Sequence, residues 1–276
     1  MTIKQALIKY RDIEIEILLT YLLDKSKEFL FAHPETELNS YQVKKLSSLI
    51  RRRRRGEPIA YILGYKDFYG LRFKVNKHVL IPRPETEELV ELAIRAAKDQ
   101  GSKINDKDPI KILDLGTGSG CVAIALAKKL LKTRLKLQIT ASDVSPEALG
   151  LARQNAKIHK VKINFVQSDL FNSLNSKFHI IVANLPYITA RDYQSLQARL
   201  RYEPKTSLTD GTDRWFLFEL FFKQAGKHLN PKAVILLEID PKSPKYITRY
   251  CRLYLPDAKY RFHKDLAEKY RFVIIR

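Results

Sequence analysis

The residues Asn184-Leu185-Pro186-Tyr187 follow directly on an apolar run, Phe178-His179-Ile180-Ile181-Val182-Ala183. An asparagine side-chain oxygen and the next backbone carbonyl, here that of Leu185, are two acceptors that can take both hydrogens of a planar amino group. Such a pair orients the nitrogen and raises electron density on it, a positioning and electrostatic contribution to its attack on an electrophile. Pro186 stiffens the loop, and Tyr187 offers a flat wall against a planar substrate. Upstream, a second apolar run ends in Asp114-Leu115-Gly116-Thr117-Gly118-Ser119-Gly120. Its three glycines allow a tight turn whose backbone can lie close against a nucleotide-like ligand, with a helix beginning at the third. Together the two segments point to methyl transfer onto a nitrogen that is a poor nucleophile in water. That nitrogen belongs either to a side-chain amide or to a nucleobase.

Two more acids fall at strand ends. Asp143 stands 27 residues after Gly116, where a carboxylate can accept hydrogen bonds from ribose hydroxyls. Asp169 can meet an adenine amino group, and Leu170 can cover the ring. A G-x-G-x-G turn alone is shared with dinucleotide oxidoreductases; turn and acid together favour a nucleoside. No Ser-His-Asp or Cys-His set can be assembled. His78, His179 and His228 read as core or surface histidines, and Trp215 with Phe216, Phe218, Phe221 and Phe222 reads as the buried stripe of a helix. Two cysteines, Cys121 and Cys251, and six scattered histidines supply neither a disulfide framework nor zinc-type spacing. No metal is expected.

The elements that must position these residues follow from periodicity. Residues 1–60 read as short amphipathic helices. One has Ile13, Ile17, Leu18 and Tyr21 on a face, with Asp12, Glu14 and Glu16 in its first turn. Another has Ser40 as N-cap and Val43, Leu46, Leu49 and Ile50 as its stripe. It runs into Arg51-Arg52-Arg53-Arg54-Arg55, which reads as a solvated helix end whose cations suit the carboxyl terminus. Residues 61–83 alternate around glycines 64 and 70 and predict a β-hairpin linker. Thr86 is expected to cap a helix over 87–98, and 99–109 reads as an exposed loop. From Lys111 strands at 112–115, 135–141, 163–167, 178–183, 233–239 and 270–275 are separated mostly by helices at 120–131, 146–159 and 214–229. Ser145 and Pro146 start the middle helix. This alternation predicts an α/β domain over 84–276 with a mostly parallel Rossmann-like sheet covered on both faces. Its ligands bind at the carboxyl ends of the strands, where Asp114, Asp143, Asp169 and Asn184 gather.

A chain of 276 residues with 45% hydrophobic content can bury one large core, or a medium core and a small satellite. The net charge of +20 is spread as excesses of +4 over 1–60, +1 over 61–110, +7 over 111–190 and +8 over 191–276. Spread charge implies non-specific affinity for nucleic acid without identifying a site. The amino terminus lacks a secretory pattern, and no apolar stretch approaches the ~20 residues of a membrane span. A soluble, cytoplasmic protein is expected.

The glycine turn resembles the first motif of S-adenosylmethionine-dependent methyltransferases. Two further segments, Gly56-Glu57-Pro58-Ile59-Ala60-Tyr61-Ile62-Leu63-Gly64 and Ile81-Pro82-Arg83-Pro84-Glu85-Thr86-Glu87, resemble hallmarks of the HemK-type protein-(glutamine-N5) methyltransferases. Tyr202-Glu203-Pro204 and Glu238-Ile239 stand where that family has similar residues, so the resemblance spans essentially the whole chain. It implies S-adenosylmethionine as cofactor, held by Gly116, Thr117, Gly118, Ser119, Gly120, Asp143, Asp169, Leu170 and Asn184. It implies as substrate the glutamine of the Gly-Gly-Gln loop of peptide chain release factors, held by Asn184, Leu185, Pro186 and Tyr187. The helical amino-terminal part would help bind the release factor, the last strand would be antiparallel, and a monomer is expected. Leu185 replaces the family's usual first proline, but its backbone oxygen remains. Leu170 replaces a frequent aromatic, Asp240 a frequent glycine, and Thr209-Asp210-Gly211 is an altered glycine-rich loop. Asn-Leu-Pro-Tyr followed by Ile188-Thr189 also resembles the ribosomal RNA adenine-N6 dimethyltransferases, so an RNA or DNA adenine-N6 methyltransferase is the alternative. Against it stand the ~110 residues ahead of the glycine turn. A fold kept for binding without catalysis is the third possibility, which the intact Asn184 and glycine turn oppose.

Overall fold

The structure, a computed structural model, describes residues 1–102, 108–196, 198–212 and 216–276, and the side chains of all of these but 198 and 199. The chain divides into two compact units, one formed by Met1–Tyr65 with the 3-10 turn Ala198–Tyr202, the other by the rest.

The first unit contains α1 (Ile3–Lys9), α2 (Ile15–Leu23), α3 (Lys27–Ala32), α4 (Ser40–Arg54) and α5 (Ile59–Leu63). All but α4 have nine residues or fewer, so helix propensity alone would not hold them, and tertiary packing of the apolar faces does. Ile3, Leu18, Leu19, Leu30, Leu46, Leu49, Ile50 and Ile62 form a core of their own. The stripe of α2 is Ile15, Leu18 and Leu19, while Ile17 and Tyr21 are exposed. The expected face is rotated because α2 begins only at Ile15, which leaves Glu16 as the acid of its first turn. Asn39, not Ser40, caps α4, in a reciprocal capping box with Gln42.

In the second unit a hairpin of β1 (Tyr65–Phe68) and β2 (Leu71–Lys74) precedes α6 (Thr86–Gly101). Glu85 occupies the N-cap position of α6 without a side-chain bond, so Thr86 lies inside the helix and is not its cap. The alternating part follows as β3 (Ile110–Leu115), α7 (Cys121–Leu130), β4 (Leu137–Asp143), α8 (Pro146–Ile158), β5 (Asn164–Gln167) and β6 (Phe178–Asn184). After β6 come α9 (Ala190–Gln194), α10 (Lys205–Leu208), α11 (Phe216–Ala225), β7 (Leu229–Glu238), α12 (Pro244–Tyr254), β8 (Tyr260–Lys264) and β9 (Tyr270–Ile275). The seven-stranded sheet has the order β5-β4-β3-β6-β7-β9-β8. Its first five strands are parallel and β9 is antiparallel to both β7 and β8. Strand β8 has no counterpart in the sequence-based expectation.

Both faces of the sheet are buried, which is why its central strands read as continuous apolar runs. Along β6, Ile180 and Val182 face α6 and α7, while Phe178, Ile181 and Ala183 face α11 and α12. Phe218, Phe221 and Phe222 form the buried stripe of α11, and Phe216 lies off it, exposed. Trp215 and the expected helix start at 214 lie outside the described residues. Among the described residues no helix is long and apolar enough to cross a membrane.

Candidate active site

Strand order reverses between β3 and β6, which opens a crevice above their carboxyl ends. Register brings Leu115 beside Ser142 on one flank and Ala183 on the other, so the glycine turn and the Asn184 loop rise side by side. They line one cavity of about 430 Å3 together with Asp143, Ser145, Ser168, Asp169, Leu170, Thr86 and Arg83. That volume lies within the ~300–1,000 Å3 of small-molecule sites.

The turn is held by its own acids. Asp114 is buried, and its Oδ2 accepts from the Thr117 hydroxyl at 2.6 Å and from the Ala123 amide at 3.1 Å. Burial pushes its carboxyl up to about 6. Asp143 accepts from the Gly118 amide at 2.8 Å through one oxygen and from the Ser145 amide at 3.0 Å through the other. Its carboxyl is also raised, with burial outweighing those bonds. Gly116, Gly118 and Gly120 all have φ between 55° and 82°, a region in which other L-residues are strained. Asn155, fully buried, donates to the Ser119 carbonyl and exchanges bonds with the Lys74 backbone, tying the turn to the hairpin. Cys121 opens α7 at the cavity wall, its thiol pushed up to about 12 by burial.

Three observations bear on whether a nucleoside cofactor fits here. A Cβ built on Gly118 would meet nothing within 4 Å, so the turn presents bare backbone to open space. Ser119 lines the cavity, and its buried hydroxyl has no oxygen or nitrogen partner among the described residues, its neighbour being the Cys121 thiol; buried hydroxyls are normally hydrogen-bonded. Leu170, with φ of 46°, is packed into the core while still lining the cavity; its loop is clasped by the Ser168 hydroxyl, which donates to the Leu170 carbonyl at 2.8 Å and accepts from the Ser173 amide at 3.0 Å. The residues present fit S-adenosylmethionine.

Asn184 ends β6, half-buried, and its Nδ2 donates to the Thr86 hydroxyl at 3.2 Å. Leu185 is buried in the core, so its side chain anchors the loop by packing where a proline ring would stiffen it. Pro186 lines the cavity, whereas Tyr187 does not. The Tyr187 hydroxyl instead donates to Glu238 Oε1 at 3.1 Å. Gly116 through Gly120 except Gly120 itself, with Asp143, Asp169, Leu170, Asn184, Leu185 and Pro186, therefore share one cavity. Gly120 lies behind it, against Ile124 and Ala152. Asp169 is exposed at the rim. The sequence reading missed Thr86, Glu238 and Arg83. The Arg83 guanidinium pairs at 2.6 Å with the buried Glu203, which also accepts from the Ile81 amide and so holds the 203–209 wall against 81–83. Thr86, Glu238 and Arg83 all stand in the Pro-Arg-Pro-Glu-Thr-Glu and Glu-Ile segments that carry the family resemblance, which marks the segments but not the roles of these side chains. Among the described residues no group of three or more His, Cys, Asp or Glu could hold a metal ion.

Comparison with known proteins decides the family. Residues 2–64 match the PrmC N-terminal domain and residues 99–230 the methyltransferase small domain. A release factor glutamine methyltransferase of Pasteurella multocida is 40% identical over 231 residues, covering 82% of this chain and 78% of that protein. One of Coxiella burnetii is 42% identical over 228 residues, with the same coverage of 82% and 78%. The chain belongs to the release factor glutamine methyltransferase family. It is a methyltransferase that uses S-adenosylmethionine. The fold is shared more widely than the family. The N-terminal domain of human METTL16 in complex with SAH superposes with a TM-score of 0.52 at 15% identity, over 96% of this chain and 95% of that one. A ribosomal protein L11 methylase from Lactobacillus delbrueckii subsp. bulgaricus gives 0.50 at 20% identity, over 73% and 83%.

Proposed function

We propose that this chain transfers a methyl group from S-adenosylmethionine to the side-chain amide nitrogen, N5, of the glutamine in the Gly-Gly-Gln motif of peptide chain release factors. The observation that carries this is the Asn184 loop opening into the same cavity as the glycine turn, with the Asn184 NH2 end directed to Thr86 by one hydrogen bond. Asn184 Oδ1 and the Leu185 carbonyl then remain as acceptors for the two hydrogens of a glutamine amide. Both bonds strengthen as the nitrogen gains positive character, so they stabilise the transition state more than the ground state. S-adenosylmethionine, when bound, supplies a methyl group on a positively charged sulfur. Gly116 to Gly120 offer backbone, Asp143 a ribose acceptor, Asp169 an acceptor for the adenine amino group, and Leu170 an apolar cover. Pro186 and Leu185 form the wall beside the glutamine, and Tyr187 braces it from behind.

In this proposal residues 1–60 recognise the substrate, 61–83 link, and 84–276 catalyse. The enzyme works as a cytoplasmic monomer, and its +20 charge lends non-specific affinity for ribosomal RNA around its protein target. Incubation with labelled S-adenosylmethionine and purified release factor should place one methyl group on the Gly-Gly-Gln glutamine, read by peptide mass spectrometry. Label on ribosomal RNA adenine and none on the factor would instead favour the adenine-N6 alternative.

A further inference from the structure

Thr86, Asn184 and Glu238 come from α6, β6 and β7, yet one chain of hydrogen bonds joins them. Asn184 Nδ2 lies 3.2 Å from Thr86 Oγ1, which lies 2.7 Å from Glu238 Oε2. Tyr187 donates to the other Glu238 oxygen at 3.1 Å. Thr86 and Glu238 are 3% and 1% exposed, so water does not substitute for these partners. A threonine hydroxyl has one hydrogen, and an ionised carboxylate only accepts. Burial raises the Glu238 carboxyl above its usual range and the charge of Glu85 adds to the rise, against the Thr86 and Tyr187 hydroxyls and Arg271; both hydroxyls donate to its oxygens. Because the Thr86 hydroxyl donates to Glu238 Oε2, its one hydrogen is committed there and only lone pairs face Asn184. The Asn184 amide then has one favourable orientation, NH2 toward Thr86. The reverse would set two acceptors against each other at 3.2 Å. No described residue donates to Asn184 Oδ1.

We propose that Thr86 and Glu238 are positioning residues that fix which end of the Asn184 amide faces the substrate. Glu238 sets the direction of the Thr86 hydroxyl, Thr86 takes the Asn184 NH2, and Oδ1 is left turned to the reacting nitrogen. The proposal rests on the glutamine-amide function proposed above. Without the device a primary amide at the end of β6 is free to present donors where acceptors are needed, and a substrate NH2 group facing another NH2 group is repelled. A buried carboxylate is costly unless its oxygens are hydrogen-bonded, and here each Glu238 oxygen accepts from a hydroxyl.

Thr86→Val keeps the shape of the side chain and removes the hydroxyl. It should lower kcat roughly 10- to 100-fold, as expected for a misplaced reacting contact, while S-adenosylmethionine affinity measured by calorimetry moves by less than about threefold, below the cost of one lost hydrogen bond. Thr86→Ser, which retains the hydroxyl, should recover most of the lost kcat. In an Asn184→Ala background Thr86→Val should change kcat by less than about twofold, because coupled residues are not additive. Independently of turnover, selective 15N labelling of asparagine should show the Asn184 NH2 protected from solvent exchange in the native enzyme and unprotected in Thr86→Val. A native kcat in Thr86→Val, an equal loss in the Asn184→Ala background, or unaltered Asn184 protection overturns the proposal. If the native enzyme fails to methylate release factor, the function is wrong, and the exchange measurement still decides the positioning role.

Discussion

Asn184 donates through Nδ2 to Thr86, and the proposed function assigns its Oδ1 to the glutamine amide, a role separable from cofactor binding by experiment. Asn184→Ala should lower kcat about 10²- to 10³-fold, the cost of one transition-state hydrogen-bonding group, and leave S-adenosylmethionine affinity nearly unchanged by calorimetry. Asp143 should behave oppositely. It latches the turn through the Gly118 and Ser145 amides, so Asp143→Ala should weaken cofactor binding by roughly 1–3 kcal/mol. Asp114 makes a prediction about pH. Its folded carboxyl protonates near 6 against an unfolded value of about 3.9, so between those values the folded state holds the extra proton. Stability therefore falls as pH rises through about 4 to 6. In Asp114→Asn, whose Oδ1 can accept both bonds now made by Oδ2, denaturant titrations should show that slope flattened. The glycines, Asp143 and Asn184 were legible in the sequence because each stands at or just after the end of an apolar strand run. Thr86 and Glu238 were not, since their bonds to each other and to Asn184 span 152 and 98 residues, and no local pattern encodes such a pairing.

Between residue and fold lies the turn from β3 into α7, where two glycines with similar dihedrals have different neighbours. A Cβ on Gly120 would sit 3.0 Å from Ile124 Cδ1 and 3.1 Å from Ala152 Cβ, at φ of 82°. Gly120→Ala would wedge α7 from α8 and add backbone strain, so it should cost on the order of 1–3 kcal/mol, seen as a lowered Tm. A Cβ on Gly118 meets nothing within 4 Å, and Gly118 lines the cavity in which the proposed function places the cofactor. Gly118→Ala should lose about 1 kcal/mol of stability from its left-handed φ but weaken S-adenosylmethionine binding more strongly. Equal effects of the two on Tm would contradict this division. The parallel strands were legible as apolar runs because both faces of the sheet are buried. Strand β8 escaped because it is an edge strand, half-exposed, with Arg261, His263 and Lys264 among its five residues. The cap of α4 was misplaced by one residue because Asn39 and Ser40 are both good caps, and only Gln42 at the third helical position chooses between them.

For the whole molecule, three of the five consecutive arginines have definite side-chain partners. Arg52 pairs with Glu57, Arg53 with Glu14 and Arg54 with Asp12, all inside the first unit. The Arg53 pair is bidentate and links α4 to the start of α2, so the run is a clasp within that unit as well as a helix end. Its partners are 39 and 42 residues away for Arg53 and Arg54, which a count of consecutive charges does not reveal. The first unit has its own core, and among the described residues every one lining the cavity of about 430 Å3 comes from the second. Removal of residues 1–64 should therefore leave S-adenosylmethionine binding measurable. A cut as far as Tyr69 would also delete β1 and the buried Phe68 of the second unit's core, so it is the wrong truncation. Methylation of release factor should fall steeply on removal of 1–64, because one glutamine side chain offers too little surface for recognition against the ~800 Å2 per partner of a specific protein interface. Loss should appear mainly in kcat/KM at low factor concentration. If the truncated enzyme folds, binds cofactor and methylates full-length release factor with native kcat/KM, then the helical unit does not recognise the substrate.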